Sequence, residues 1–210
     1  MLIPKSPLKG DFANRFEVHD DRRFTHVRLT IYPDGGVARL RVHGEIVPDP
    51  ALLPSEFDVA ALENGGAVLD CSNRFYGHPE SMLRPGLAQH MGDGWETSRR
   101  RDDGNDWVIV SLAAPSVLTF ADLDTTHFKG NAPGAARLLG SAGGDEWFEL
   151  LPRIPLRPDT PHRFPLGSPR EVSQVRLDIY PDGGIARLRL IGRPDRDVLE
   201  ENFRRRVEPR

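Results

Sequence analysis

The chain has one cysteine in 210 residues. Cys71 has no partner for an intrachain disulfide, so no covalent framework staples the fold and a reducing compartment is expected. Neither charge predominates, with 28 Lys and Arg against 31 Asp and Glu. That balance leaves no global basic field for nucleic acid and no acidic block of the kind that solvates a tail. The one short run of a single sign, Arg204-Arg205-Arg206, reads as a solvated end. Long apolar runs are missing too: nothing approaches the roughly eighteen consecutive apolar residues of a membrane helix. The opening MLIPKSPLKG also lacks the apolar centre of a secretory signal. The expectation is a soluble, cytoplasmic protein with no nucleic-acid and no membrane partner.

Long helices are scarce for a different reason. Twenty glycines and 19 prolines interrupt the chain too often for an apolar period of 3.6 to persist. Two short windows escape. SEFDVAALE at 55–63 predicts a helix with Ser55 as N-cap, and DVLEENFRRR near the C-terminus predicts another.

What the chain does have is a sentence spelled twice. HVRLTIYPDGGVARLRVHG at 26–44 and QVRLDIYPDGGIARLRLIG at 174–192 agree at 14 of 19 positions. A shift of 148 relates them, and the same shift pairs Pro4 with Pro152, Pro7 with Pro155, Leu8 with Leu156 and Phe16 with Phe164. This is an internal repeat, and only its last third is present in the first copy. Residues 1–50 are read as the C-terminal part of an incomplete first unit and 51–65 as a proline-bearing linker. Residues 66–193 are read as one complete unit and 194–210 as a charged tail.

In each copy alternation puts three apolar residues on one face before the turn: Val27, Leu29 and Ile31, or Val175, Leu177 and Ile179. Pro-Asp-Gly-Gly then supplies the fixed φ, the side-chain acceptor and the two permissive residues of a tight reversal. Each copy therefore predicts a β-hairpin. A lone hairpin is marginal in water, so the first copy is expected to pack on the complete unit or on another chain, which makes a homo-oligomer an expectation. The opposite face carries Arg28, Arg39 and Arg41, or Arg176, Arg187 and Arg189. Like charges across strands repel unless something negative covers them. Neighbouring acids are the usual cover, and a bound anion is the other.

From residue 66 onward eight short runs read as strands: 67–72, 107–112, 117–124, 136–141, 147–151, 162–166, 174–180 and 185–191. Eight strands in a segment of this size suggest an all-β fold, an antiparallel jelly-roll β-sandwich. The large aromatics Trp95 and Trp107 are expected in its core.

Three loops are dense in functional groups: MGDGWETSRRR at 91–101, GNDW at 104–107 and DTTHFKGNAP at 124–133. With IYPDGG, LLPRIPL and CSNRFYG, they resemble allantoicase, a ureide hydrolase built from tandem jelly-roll domains related to galactose-binding modules. The chain departs from that pattern at Ser98, inside the run that follows WET, and at Asn105, where the family wording is GHDW. The resemblance implies hydrolysis of allantoate, a small-molecule ureide, to ureidoglycolate and urea. Its alternative is a ligand-binding or subunit-interaction module that has kept the sandwich and lost turnover.

Under that resemblance the chemistry assigns roles to residues. Allantoate carries one carboxylate, and the planar guanidinium is its best geometric match. Arg99 and Arg101 are the candidates, with Lys129 next. The ureido groups offer donors and acceptors suited to Asp93 and Asn131. Proton transfer falls to His127 with Glu96 and Asp124. His127 has a plain structural alternative, donation to a backbone carbonyl. Seven histidines stand singly along the chain, without the close spacing of a metal site. No protein-ligated metal and no cofactor are expected.

Overall fold

The structure is a computed structural model that describes residues 1–207. Its strands are β1 (Phe57–Asp58), β2 (Ala67–Cys71), β3 (Trp95–Glu96), β4 (Asp106–Asp124) and β5 (Ala135–Ser141). They continue with β6 (Phe148–Pro155), β7 (Pro161–Pro165), β8 (Val172–Tyr180), β9 (Gly184–Ile185) and β10 (Arg187–Pro194), followed by helix α1 (Arg196–Val207). The two runs expected at 107–112 and 117–124 are one strand. Pro115 does not end it, because Pro115 lies where the register with β8 shifts between Ser111 and Ser116, and its missing N–H breaks no ladder there.

That single strand organises the sandwich. Asp106 to Ser111 pair antiparallel with β2 on one side and β8 on the other, and β5 and β6 extend the layer beyond β8. Ser116 to Asp124 pair antiparallel with β10, and the last residues also with β7, while β1 adds to β10. Straight, 19 residues would span about 60 Å at roughly 3.3 Å each. Yet Asp106 N–H donates to Pro181 O at 3.0 Å and Asp124 O accepts from Ala186 N–H at 2.7 Å. Both ends of β4 lie beside one six-residue turn, so the strand doubles back, passing from one layer to the other.

This corrects the hairpin reading of the second copy. β8 and β10 do not pair with each other; each pairs with β4, in different layers. The PDGG turn is an arch between layers. Val175, Leu177 and Ile179 face Leu188 and Leu190 across the core, all five fully buried. Along β4, burial alternates residue by residue from Asp106 to Leu118, then changes phase at Thr119 and Phe120. There a bulge opposite Ile191 and Gly192 takes up one extra residue.

Three further expectations need correction. Residues 55–63 form no α-helix: β1 pairs with β10, and Val59 and Ala60 are buried in the core. The segment read as a linker thus packs into the sandwich, because its apolar residues gain more by burial than a free helix would. Trp107 is half-buried on the outer face with the Arg176 guanidinium 4.8 Å from its ring, while Trp95 is fully buried as expected. The first copy forms no strand. Val27, Leu29, Ile31, Leu40 and Val42 are exposed, and the segment meets the rest of the chain through polar contacts such as Arg206 with Glu45 and Arg23 N–H with Arg206 O. It lacks the flanking strands that bury its twin. The C-terminal helix forms as expected, with Asp195 accepting from the backbone N–H groups of Asp197 and Val198. No helix among the described residues is long and apolar enough to cross a membrane.

Candidate active site

The arch turn is the hub of one rim of the sandwich. Gly183 adopts φ of 131°, and a Cβ there would lie 2.6 Å from Asn131 O. At Gly184 a Cβ would lie 2.0 Å from the buried Phe128 ring. Glycine is required at both, for conformation at the first and for close approach at both. With side chains absent, the backbones of two loops reach the turn. Thr97 N–H donates to Gly183 O, Gly184 N–H to Asn131 O, and Gly134 N–H to Tyr180 O. β3 pairs with β9, setting Trp95 opposite Ile185 and Glu96 opposite Gly184. The 91–101 and 124–133 segments therefore share one rim of the sandwich.

Two of the expected residues meet directly. Asn131 Nδ2 donates to Glu96 Oε1 at 2.6 Å, and Oε2 of Glu96 has no hydrogen bond among the described residues. His127 sits on the same rim with left-handed φ of 74°, which its N–H bond to Asp159 Oδ1 supports. Its Nε2 lies 3.0 Å from Ala88 O. A carbonyl only accepts, so Nε2 carries the hydrogen and Nδ1 keeps its lone pair in the neutral ring. Asp124 is nearly buried, and its Oδ1 accepts from Thr126 N–H and hydroxyl. No hydrogen bond joins His127, Glu96 and Asp124 to one another among the described residues. They stand along the rim as separate groups.

The Asp93 carboxylate accepts from Gln89 N–H at 2.8 Å, and that bond holds its pKa below the usual carboxylate range. Lys129 is exposed, its Nζ 3.9 Å from Asp159. Of the three arginines after Ser98, Arg99 and Arg101 are exposed and make no ion pair among the described residues, whereas Arg100 is committed to Asp102 and Asp106. The Asp102 carboxylate beside it raises the Arg100 pKa further. Asp182 of the turn accepts from Arg100 N–H at 2.8 Å, so its partner lies across the rim and not within its own turn.

Two residues at the rim escape sequence reasoning. Thr97 is buried and its hydroxyl accepts from Gly183 N–H, tying the WET loop to the arch. Arg187 is also buried, donating from Nε to Gly86 O and from Nη1 to Asp93 O and Ala186 O. The unbalanced arginine faces of the repeat were the available signal for Arg187; its burial under residues 81–93 has no local cue. Among the described residues no three His, Cys, Asp or Glu side chains are grouped to hold a metal ion.

A family model described as the allantoicase repeat matches residues 1–47 and 57–195. The probable allantoicase of Nocardia farcinica is 60% identical over 193 residues, which are 91% of this chain and 59% of that protein. The crystal structure of allantoicase from Saccharomyces cerevisiae superposes with a TM-score of 0.71 at 36% identity, covering 77% of this chain and 49% of that one. A carbohydrate-binding module from a Clostridium perfringens family 31 glycoside hydrolase superposes with a TM-score of 0.52 at 9% identity, over 66% of this chain and 95% of that one. That likeness is one of fold alone, and with the first two it identifies the galactose-binding-like jelly roll. The chain spans little more than half the length of the curated relatives it matches. The family match takes in most of the partial first copy and every strand of the sandwich, and on that ground the chain belongs to the allantoicase family.

Proposed function

We propose that the rim hydrolyses allantoate to ureidoglycolate and urea. One observation supports this most directly. The Glu96–Asn131 pair and the loops bearing His127, Arg99 and Arg101 are held to one turn by Thr97 N–H on Gly183 O, Gly184 N–H on Asn131 O and Arg100 N–H on the Asp182 carboxylate, while the His127 ring is anchored on Ala88 O. In the reaction the bond between the central carbon and one ureido nitrogen breaks, that nitrogen gains a proton, and the oxygen of water ends on the carbon after losing one. Glu96 Oε2 is the free acceptor for a proton leaving water. Asn131 fixes the carboxylate through Oε1 and so limits the orientations it samples. His127, with Nε2–H anchored to Ala88 O, acts in its imidazolium form: its Nδ1–H gives the proton to the departing ureido nitrogen, with Asp124 flanking it in the chain. Asp93 and Asn131 are suited to the ureido groups. Arg99, Arg101 and Lys129, as exposed cations, draw a dianion-free, singly charged substrate toward the rim.

The test is turnover: pure protein with allantoate, with urea and ureidoglycolate measured. Glu96→Gln keeps the bond to Asn131 in an isosteric form and removes the base. The expected loss in kcat is about 10²- to 10⁴-fold with little change in KM. A second reading is a module that binds the ureide without turning it over, favoured by the absence of hydrogen bonds among Glu96, His127 and Asp124. Calorimetric binding of allantoate without release of urea would establish that reading over the first.

A further inference from the structure

Four half-buried arginines of the sandwich are answered by carboxylates. Arg100 meets Asp102 and Asp106, Arg137 and Arg176 share Asp178, and Arg189 meets Asp58. Arg187 is different. It is 5% exposed, yet no carboxylate forms an ion pair with it among the described residues. Its partners are carbonyls: Gly86 O at 2.9 Å from Nε, and Asp93 O at 2.8 Å, Ala186 O at 2.6 Å and Ser81 O at 3.4 Å from Nη1. Carbonyls orient a guanidinium but do not cancel its charge, and a buried charge without a counter-ion is costly. Burial accordingly lowers the Arg187 pKa. Among the described residues Nη2 alone has no hydrogen-bond partner, and unlike the sealed Nη1 of Arg189 it is not closed off from solvent.

Its surroundings place it beside the rim. Arg187 opens β10 and stands opposite Asp124 in the ladder. Three of the four carbonyls it holds belong to residues 81–93, the segment whose Ala88 O anchors His127 and whose Ala88 packs with Phe128 and Ala186. We infer that Arg187 is the seat for the carboxylate of the bound ureide, an anion site built from a guanidinium clamped on two nitrogens and open on the third. The inference rests on the reading of the rim as a ureide site, and it moves the carboxylate from the exposed Arg99 and Arg101 to a cation already fixed in place. A preformed donor loses little side-chain freedom on binding, whereas an exposed arginine must be ordered first. It also answers the arginine face of the repeat: at this position the acids Asp93 and Asp124 act on the guanidinium only through space, and the direct cover is a bound anion.

The probes are N-carbamoylglycine, which has one ureido group and a carboxylate, and N-carbamoylglycinamide, its neutral counterpart. Calorimetry with the wild-type chain is expected to show the acid binding and the amide binding at least tenfold more weakly. In Arg187→Lys the acid should lose about 10- to 100-fold in affinity, as when a charge-assisted fork is removed, while the amide changes little. Equal affinity for acid and amide in the wild type, or an unchanged acid affinity in Arg187→Lys, overturns the inference. Because Arg187 ties residues 81–93 to β10, a second measurement is independent of the folding of Arg187→Lys. A crystal of the wild type with N-carbamoylglycine decides without it: the carboxylate within hydrogen-bond distance of Nη2 supports the site, and a carboxylate on Arg99 or Arg101 refutes it. The outcomes separate from those for catalysis. Arg187-dependent binding without urea release would overturn the hydrolase reading and keep the anion seat; turnover of allantoate with discrimination intact in Arg187→Lys would do the reverse.

Discussion

Residues 26–44 and 174–192 use nearly the same words and meet opposite fates. In the second copy Val175, Leu177 and Ile179 are fully buried; in the first Val27, Leu29 and Ile31 are 47%, 48% and 38% exposed. The glycines repeat the contrast. Gly184 sits against Phe128, while nothing lies within 4 Å of a Cβ at Gly36. Alternation and turn chemistry are therefore permissive, and the neighbours decide. β8 is a strand because β4 and β5 flank it, and β10 because β4 and β1 do. Propensity in a strand measures fit to a half-buried pleated surface, and a segment without that surface has little to gain from it.

Paired substitutions sharpen the comparison. The largest expected difference is between Leu177→Ala and Leu29→Ala. The first opens a cavity in the core and should cost about 2–5 kcal/mol, while the second should lie within about 0.5 kcal/mol of wild type. Equal costs in urea denaturation would mean that the first copy is buried in solution. Next comes Gly184→Ala against Gly36→Ala. Overpacking against Phe128 should cost about 1–3 kcal/mol and depress activity at the rim, whereas the first-copy change should be close to neutral.

The smallest effect is a matter of protons. Burial raises the pKa of Asp58, which accepts from the N–H groups of Leu190 and Ala60 in the sandwich. The folded chain holds that proton more tightly than the unfolded one. The associated stability is thus present below the ordinary carboxylate pKa and is lost as pH rises through the raised folded value. Asp58→Asn should flatten stability over that window. Asp20 has the contrary shift, lowered to about 2 chiefly by its hydrogen bonds from Arg22 two residues away. A contact so local survives unfolding, so Asp20 should titrate alike in the whole chain and in a peptide of residues 1–47, and it should leave the stability curve untouched. Carbon-detected NMR titration of both groups checks the pair.

Much of the sandwich was legible because its signals are local. Period-two runs marked β2, β5 to β8 and β10 within a few residues, and Gly and Pro marked the gaps. What was hidden depended on partners distant in the chain. Pro115 reads as a strand break and is not one, since the sheet asks for no N–H at that point. SEFDVAALE reads as a helix until β10 offers a ladder to Phe57 and Asp58. The PDGG turn reads as a hairpin because sequence shows the reversal but not which strand stands between its arms. At the rim, residue types showed which groups could do chemistry. They could not show that Arg100 is taken by two aspartates or that Arg187 is enclosed, because both facts depend on contacts across the fold.

β4 has one further consequence. Its two halves belong to opposite layers, joined covalently at the far end, while the PDGG arch laces the same layers at the rim. Neither layer can then peel away as an independent unit: amide protons in β5 and in β10 should exchange through one shared opening, and a ligand that tightens the rim should slow exchange at the opposite end of the molecule as well.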